Sequence, residues 1–209
     1  LIGTVAGLVL GIFAGSRPGK PGDSVTQGVG LLGLALPEFV IGTAVVAILA
    51  REFHYFPKMG IFTSLRESVS GNLLQLIYPA LVLSVGFAAN IMRATRSEYA
   101  ETAAAEYVRT ARGKGLAPAR IRLRHILHNA AIPIVTLTGI QFGYLLGGTV
   151  IVEQVFGLPG MGRLLLTSIN NFDYPVVQAE VLFIACMFVV VNLIVDLLYR
   201  MIDPRTRAA

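Results

Sequence analysis

The stretch that decides the reading runs from Arg93 to Asn129, RATRSEYAETAAAEYVRTARGKGLAPARIRLRHILHN. It carries Arg93, Arg96, Arg109, Arg112, Lys114, Arg120, Arg122 and Arg124 against only Glu98, Glu101 and Glu106, and it lies between two segments apolar enough to cross a bilayer. A long basic, alanine-rich block in that position fits a cytoplasmic docking element of a membrane protein. Gly113-Lys114-Gly115-Leu116-Ala117-Pro118 interrupts it once, so two short helices around a Gly/Pro corner are expected.

Composition places the whole chain in the same class. Of its 209 residues 55% are hydrophobic and 14% charged, with a mean hydropathy of +0.70, outside the range of an ordinary water-soluble domain. The single cysteine, Cys186, sits within an apolar run and reads as a packing residue, and one cysteine excludes an intrachain disulfide. The net charge of +5 is concentrated beside the apolar runs and not on a separable basic domain. Membrane topology accounts for it more simply than nucleic acid does.

Five apolar segments follow one another: Leu1–Gly15, Leu31–Ala50, Leu73–Met92, Ala130–Val152 and Ala179–Leu198. The last four are each near the roughly 20 residues that span the hydrocarbon core as a helix. The first is short and starts without Met or a basic flank, so it reads as the remainder of a truncated helix, not as a signal peptide. Alternating the loops puts Ser16–Gly30, Arg93–Asn129 and Tyr199–Ala209 on one side, and Arg51–Asn72 and Glu153–Gln178 on the other. Thirteen of the 17 Lys and Arg residues fall on the first side, leaving only Arg51, Lys58, Arg66 and Arg163 on the second. The positive-inside rule makes the first side, with the carboxyl end, cytoplasmic.

Glycines and prolines then indicate packing. Gly3, Gly7, Gly11 and Gly15 recur every fourth residue, as do Gly139, Gly143 and Gly147, and each set forms a smooth stripe along which a neighbouring backbone can approach. Segment 153–178 contains Phe156-Gly157-Leu158-Pro159-Gly160-Met161-Gly162 and then the half-apolar run Leu164–Ile169, which suggests an extracytoplasmic loop with a surface helix.

Catalytic chemistry finds little support. Gly113-Lys114-Gly115 lacks the upstream glycine and following Ser/Thr of a phosphate-binding loop, so ATP, if used, is bound elsewhere. His125 and His128 stand three apart on an expected helix, but flanking Arg120, Arg122 and Arg124 repel a cation and no third ligand lies near, so no metal site is assigned. Among ionisable residues within the apolar segments, Asp196 is expected to pair with Arg200 at the interface, whereas Glu38, after Pro37, lies deeper and is the candidate for a translocation path.

At this point several stretches together carry a resemblance. Glu106-Tyr107-Val108-Arg109-Thr110-Ala111-Arg112-Gly113-Lys114-Gly115-Leu116, followed by Arg124-His125-Ile126-Leu127-His128-Asn129-Ala130-Ala131-Ile132-Pro133, resembles the cytoplasmic EAA loop of binding-protein-dependent ABC importer permeases. Leu36-Pro37-Glu38-Phe39, Gly147-Gly148-Thr149-Val150-Ile151-Val152-Glu153, Pro159-Gly160-Met161-Gly162-Arg163, Asp173-Tyr174-Pro175-Val176-Val177-Gln178 and Asp203-Pro204-Arg205 are similar to the oligopeptide/dipeptide branch, first of its two permease subunits. The departure is that Arg109-Thr110-Ala111 stands where Glu-Ala-Ala is usual.

The resemblance implies an all-α integral membrane protein with the transmembrane domain of a type I ABC importer, five of six transmembrane helices being present in one permease domain over 1–209. It implies a non-catalytic, multi-pass subunit of a bacterial or archaeal cytoplasmic membrane that moves di- or oligopeptides or a related solute. The partners implied are a homologous second permease, two ABC ATPase subunits that hold ATP and Mg, an extracytoplasmic substrate-binding protein and the lipid bilayer, with no cofactor bound by this chain and no nucleic acid. ATPase coupling would fall to the loop 93–129, through Ala103, Ala104, Glu106, Tyr107, Arg109, Ala111, Gly113, Gly115 and Leu116. Helix packing would rest on Gly7, Gly11, Gly139, Gly143 and Gly147. The alternatives are a proton-coupled secondary transporter centred on Glu38 and a purely structural membrane subunit.

The cation asymmetry yields a topology test. In a Cys186→Ala background, Arg112→Cys and Thr206→Cys are shielded from an impermeant thiol reagent in intact cells, whereas Ser64→Cys and Asn171→Cys react. Labelling of the first pair from outside contradicts the orientation.

Overall fold

A computed structural model describes residues 1–54 and 62–202, and every regular element among them is a helix. Lys58 and the Asp203-Pro204-Arg205 stretch lie outside the described residues.

The fold is organised by two helices that run side by side in the same direction, α1 (Ile2–Gly15) and α4 (Val69–Ala104). Their contact is the most extensive between any two helices of the molecule. The glycine stripe of α1 makes it. A Cβ at Gly7 would lie 2.7 Å from the Ala88 carbonyl oxygen, and one at Gly11 would lie 2.7 Å from that of Met92. Gly3 faces Ser84 and Gly15 faces Arg96 in the same register, at 3.0 and 2.9 Å. Backbone therefore rests on backbone along the whole of α1, the kind of close packing that holds helices together where apolar burial gives no drive.

Helix α4 begins where the Ser68 hydroxyl accepts the Gly71 N–H at 3.1 Å, an N-cap bond. With 36 residues it is about 54 Å long at ~1.5 Å per residue, well beyond the ~30 Å hydrocarbon core. The excess is Arg93–Ala104. That segment, expected as the first of two short helices in a cytoplasmic loop, instead continues the spanning helix, because 93–104 includes no glycine or proline to stop it. The first break falls at Ala105, which is extended at φ −61°, ψ 145°. Beyond it come α5 (Glu106–Gly113) and the expected Gly/Pro corner.

Two further expectations need correction. Ser16–Gly30 is not a simple loop, since α2 (Pro21–Ala35) starts inside it with Pro21 at the first helical position. Leu31–Ala50 is not one straight span: α2 ends at Ala35, α3 (Glu38–Phe53) starts at Glu38, and the two are bent by 93°. Pro37 has no N–H with which to continue the helix and pushes Leu36 into extended backbone at ψ 118°.

After the corner, α6 (Pro118–Arg120), a π-helical stretch (Ile121–Leu127) and α7 (His128–Gly148) follow without a gap, so the second short helix runs on into a span. Helix α8 (Val150–Phe156) and helix α9 (Met161–Asn170) are bent by 96° to each other, and α9 contains the run Leu164–Ile169. Helix α10 (Tyr174–Ile202) returns antiparallel to α7. A Cβ at Gly139 would collide with Val195 and one at Gly143 with Phe188. Gly147 lies in α7, but its surroundings fall outside the described residues. Asp196 and Arg200 do not pair: the ion pairs among the described residues are Arg51–Glu52, Asp23–Arg96 and Glu106–Arg109. Both side chains are exposed, where solvation competes with so weak an attraction. By length and composition three helices qualify as membrane spans, α4, the α6–α7 run and α10, or up to five if each bent pair counts as one.

Gly7→Leu and Gly143→Leu each insert bulk between closely apposed helices, an overpacking cost of about 1–3 kcal/mol or more. Both lower the yield of detergent-stable protein, while Val9→Ile on the exposed side of α1 leaves it unchanged. Equal yields for all three would show the stripes to be compositional only.

Candidate functional site

The site expected from sequence lies at the end of the molecule that carries Gly15 and Ala104, here the basic end. Helix α5 is amphipathic. Val108 and Ala111 are buried with Tyr99 of α4 and with Ile121 and Ile126 of the π-helical stretch, and Ile12, Ala103, Leu116 and Leu127 rim that cluster. Ala104, Glu106, Tyr107, Arg109 and Gly113 are exposed, Tyr107 at 45%. The predicted coupling residues thus divide into two sets. Ala103, Ala111 and Leu116 pack inward and seat the helix, while the others present a free face.

Helix α5 is stopped by main-chain bonds. The Leu116 N–H donates to the Ala111 carbonyl at 3.3 Å and the Gly115 N–H to that of Arg112 at 3.0 Å. Gly115 holds φ +71°. This is the Schellman arrangement, with Leu116 packed against the cluster that holds Ala111 and Pro118 beyond it. The same two-bond pattern ends α8 at Gly157, φ +66°, through Leu158 to Glu153 and Gly157 to Gln154. It ends α9 at Phe172, φ +58°, through Asp173 to Ser168 and Phe172 to Ile169. Tyr107 adds a tie across the corner, its hydroxyl donating to the His125 carbonyl at 3.3 Å, which also accepts from Asn129 Nδ2 at 2.7 Å.

Sequence reasoning missed Asp23. It is 2% exposed, near the start of α2, and its carboxylate accepts from Arg96 Nε at 3.0 Å and Nη2 at 2.7 Å. The Gly19 N–H and Gln27 Nε2 each donate to it at 2.9 Å. This two-pronged pair fastens α2 to α4 two turns before Ala104. Asp23 follows Pro21-Gly22, a readable helix start, but no local rule links residues so distant in sequence.

At the opposite end, the α8–α9 corner is tied by Glu153. Its carboxylate accepts from the Thr149 hydroxyl at 2.7 Å and from the Arg163 N–H in the first turn of α9 at 2.8 Å. Gly160 is required because a Cβ there would overlap that carboxylate. Glu180 of α10 was also missed: it is 5% exposed, and neither carboxylate oxygen has a hydrogen-bond partner among the described residues. Its place at the very start of an apolar run hid it. Glu38, the first residue of α3, is half-buried beside Gly86. No group of three or more metal-ligating His, Cys, Asp or Glu side chains occurs among the described residues.

A bundle of apolar helices, with one amphipathic helix seated by its buried face and open on the other, is the architecture of a multi-pass membrane component. The chain belongs to the family of binding-protein-dependent transport system inner membrane components, whose model matches residues 7–208. It is 38% identical over 207 residues to a probable peptide ABC transporter permease protein of Sinorhizobium fredii, covering 99% of this chain and 66% of that one. It is 40% identical over 204 residues to the glutathione transport system permease protein GsiC of Pectobacterium atrosepticum, covering 97% and 63%. The chain thus spans 66% and 63% of the length of these two curated relatives. The solved MetNI methionine ABC transporter, in inward-facing conformations, superimposes with a TM-score of 0.67 over 97% of this chain and 90% of that one. At 15% identity this last likeness concerns the fold.

The Asp23–Arg96 tie is tested by a double-mutant cycle with Asp23→Asn and Arg96→Gln. Each single change lowers the thermal midpoint of the purified protein, and the double variant falls no further than the worse single. Additive losses would show that the two side chains act independently.

Proposed function

We propose that this chain is the membrane-spanning permease subunit of an ATP-driven importer that translocates di- or oligopeptides or a related solute handed over by an extracytoplasmic binding protein. The observation that carries the reading is α5, welded to α4 and to the start of the α6–α7 run on one face and open on the other. An ATPase subunit suits that open face, and the family supports an importer over the proton-coupled alternative.

In this reading two ATPase subunits bind ATP and Mg, a homologous second permease completes the path, and this chain catalyses nothing. The basic end faces the cytoplasm, together with the carboxyl end. Closure of the ATPases moves a groove that holds the exposed face of α5. Because Val108 and Ala111 are packed against α4 and the π-helical stretch, displacement of α5 carries both helices as a body; close-packed interiors resist compression. The exposed cations Arg109, Arg112 and Lys114 suit an acidic rim on that groove. The α8–α9 corner at the other end offers the binding protein a rigid surface.

Gly115→Val forces a β-branched residue into a left-handed backbone, and Ala104→Glu adds bulk and charge to the exposed face. In purified complex in proteoliposomes, each lowers substrate-stimulated ATP hydrolysis and uptake together, by roughly tenfold for a strain of ~1–2 kcal/mol, while docking of the binding protein persists. Uptake driven by a pH gradient without ATP overturns the reading.

A further inference from the structure

The break between α2 and α3 opens a site that the coupling machinery does not use. It lies beside Gly86, six residues before Met92, where the part of α4 left after the Arg93–Ala104 excess ends, and so within the apolar span but toward its basic end. Broken backbone at that depth is tolerated only where protein or a water-filled cavity covers it. A cavity of ≈ 460 Å³ adjoins the break, lined by Glu38, Asn90, Gln141 and Tyr144 from α3, α4 and α7. That volume lies within the roughly 300–1,000 Å³ of ligand pockets.

The chemistry of the lining is one-sided. Gly86 leaves space for the Glu38 carboxylate, which comes within 3.7 Å of where a Cβ of residue 86 would be. No hydrogen bond or ion pair reaches that carboxylate among the described residues. The Asn90 amide donates to the Gly86 carbonyl at 3.2 Å, which leaves its oxygen as a free acceptor. Gln141 and Tyr144 add an amide and a hydroxyl, Leu34, Leu36, Phe87 and Leu145 make much of the rest apolar, and among the described residues no Lys, Arg or His lines the cavity. An ionisable side chain within the span needs a counter-charge or a water-filled path, and a lining whose one charge is a carboxylate, flanked by amide and hydroxyl oxygens able to accept, suits an ammonium group.

We propose that this cavity is a transit subsite for a cationic group of the transported solute, the free amino terminus of a peptide, with Glu38 as its counter-charge and Asn90, Gln141 and Tyr144 as further contacts. The proposal rests on the importer reading. The transporting residues would then include three that no sequence motif marks.

The test uses the assembled complex in a Cys186→Ala background. Asn90→Cys reacts about tenfold or more faster with a cationic than with an anionic methanethiosulfonate, after normalisation to a free thiol, as expected for a cleft that concentrates cations. Adding Glu38→Gln abolishes that preference. Equal rates, or no reaction with either reagent, overturn the cation site. A second arm offers the reconstituted complexes, with binding protein and ATP, a mixture of small peptides and reads uptake by mass spectrometry. Glu38→Gln cuts uptake of free-amine peptides about tenfold, and Glu38→Asp restores part of it. Undiminished uptake in Glu38→Gln, or failure of that variant to assemble because Glu38 pairs with the second permease, overturns the assignment to the solute. No ATP-driven uptake by the unmodified complex overturns the importer reading instead, and is visible before any Glu38 variant is examined.

Discussion

The contact of α1 with α4, main chain against main chain over four turns, is the constraint on which the other parts depend. Gly3, Gly7, Gly11 and Gly15 meet Ser84, Ala88, Met92 and Arg96, each pair the same distance apart in sequence. Parallel helices in fixed register bring the end of α1 to Arg96 and Tyr99. Those two residues serve the next layer of structure. Arg96 receives the Asp23 carboxylate and so sets where α2 begins, and Tyr99 belongs to the cluster in which α5 sits. If α1 stood further out, neither the α2 anchor nor the seat of α5 would be placed by the same helix.

Helix α4 thus works as a common shaft. Its last turns carry the seat of α5, Arg96 holds α2, and Asn90 and Gly86 border the cavity at the break. No loop separates the seat of α5 from the cavity along this helix. The α6–α7 run is a second route, since Ile121 and Ile126 share the α5 cluster and Gln141 and Tyr144 border the same cavity. The π-helical turn between them, Ile121–Leu127, is a geometry often found at functional positions.

Much of this was legible in the sequence, and the failures have physical causes. The glycine stripes, the Gly/Pro corner and the helical run Leu164–Ile169 were readable because each is a local pattern. The continuation of α4 through Arg93–Ala104 was hidden because the basic block was read as a separate short helix, although a spanning helix can project beyond a bilayer without a break. The α2–α3 break was hidden because hydropathy averages over Pro37, whose backbone effect outweighs the apolar residues on both sides. Asp23–Arg96 joins residues 73 apart, beyond any periodicity argument. The Asp196–Arg200 expectation failed because favourable spacing on an exposed helix face does not oblige two side chains to meet.

The three helix ends at Gly115, Gly157 and Phe172 use the same pair of main-chain bonds. A reversal made by the backbone asks little of the side chains around it. Glu106, Arg109 and Arg112 can therefore be replaced without loss of the corner that presents them, whereas a side chain at Gly115 brings the backbone strain that Phe172 already carries. Departures such as Arg109 and Thr110 then fall on a face whose side chains the scaffold does not need, while Ala111 beside them stays buried in the seat, so the corner sets how that face is presented and not which residues it carries.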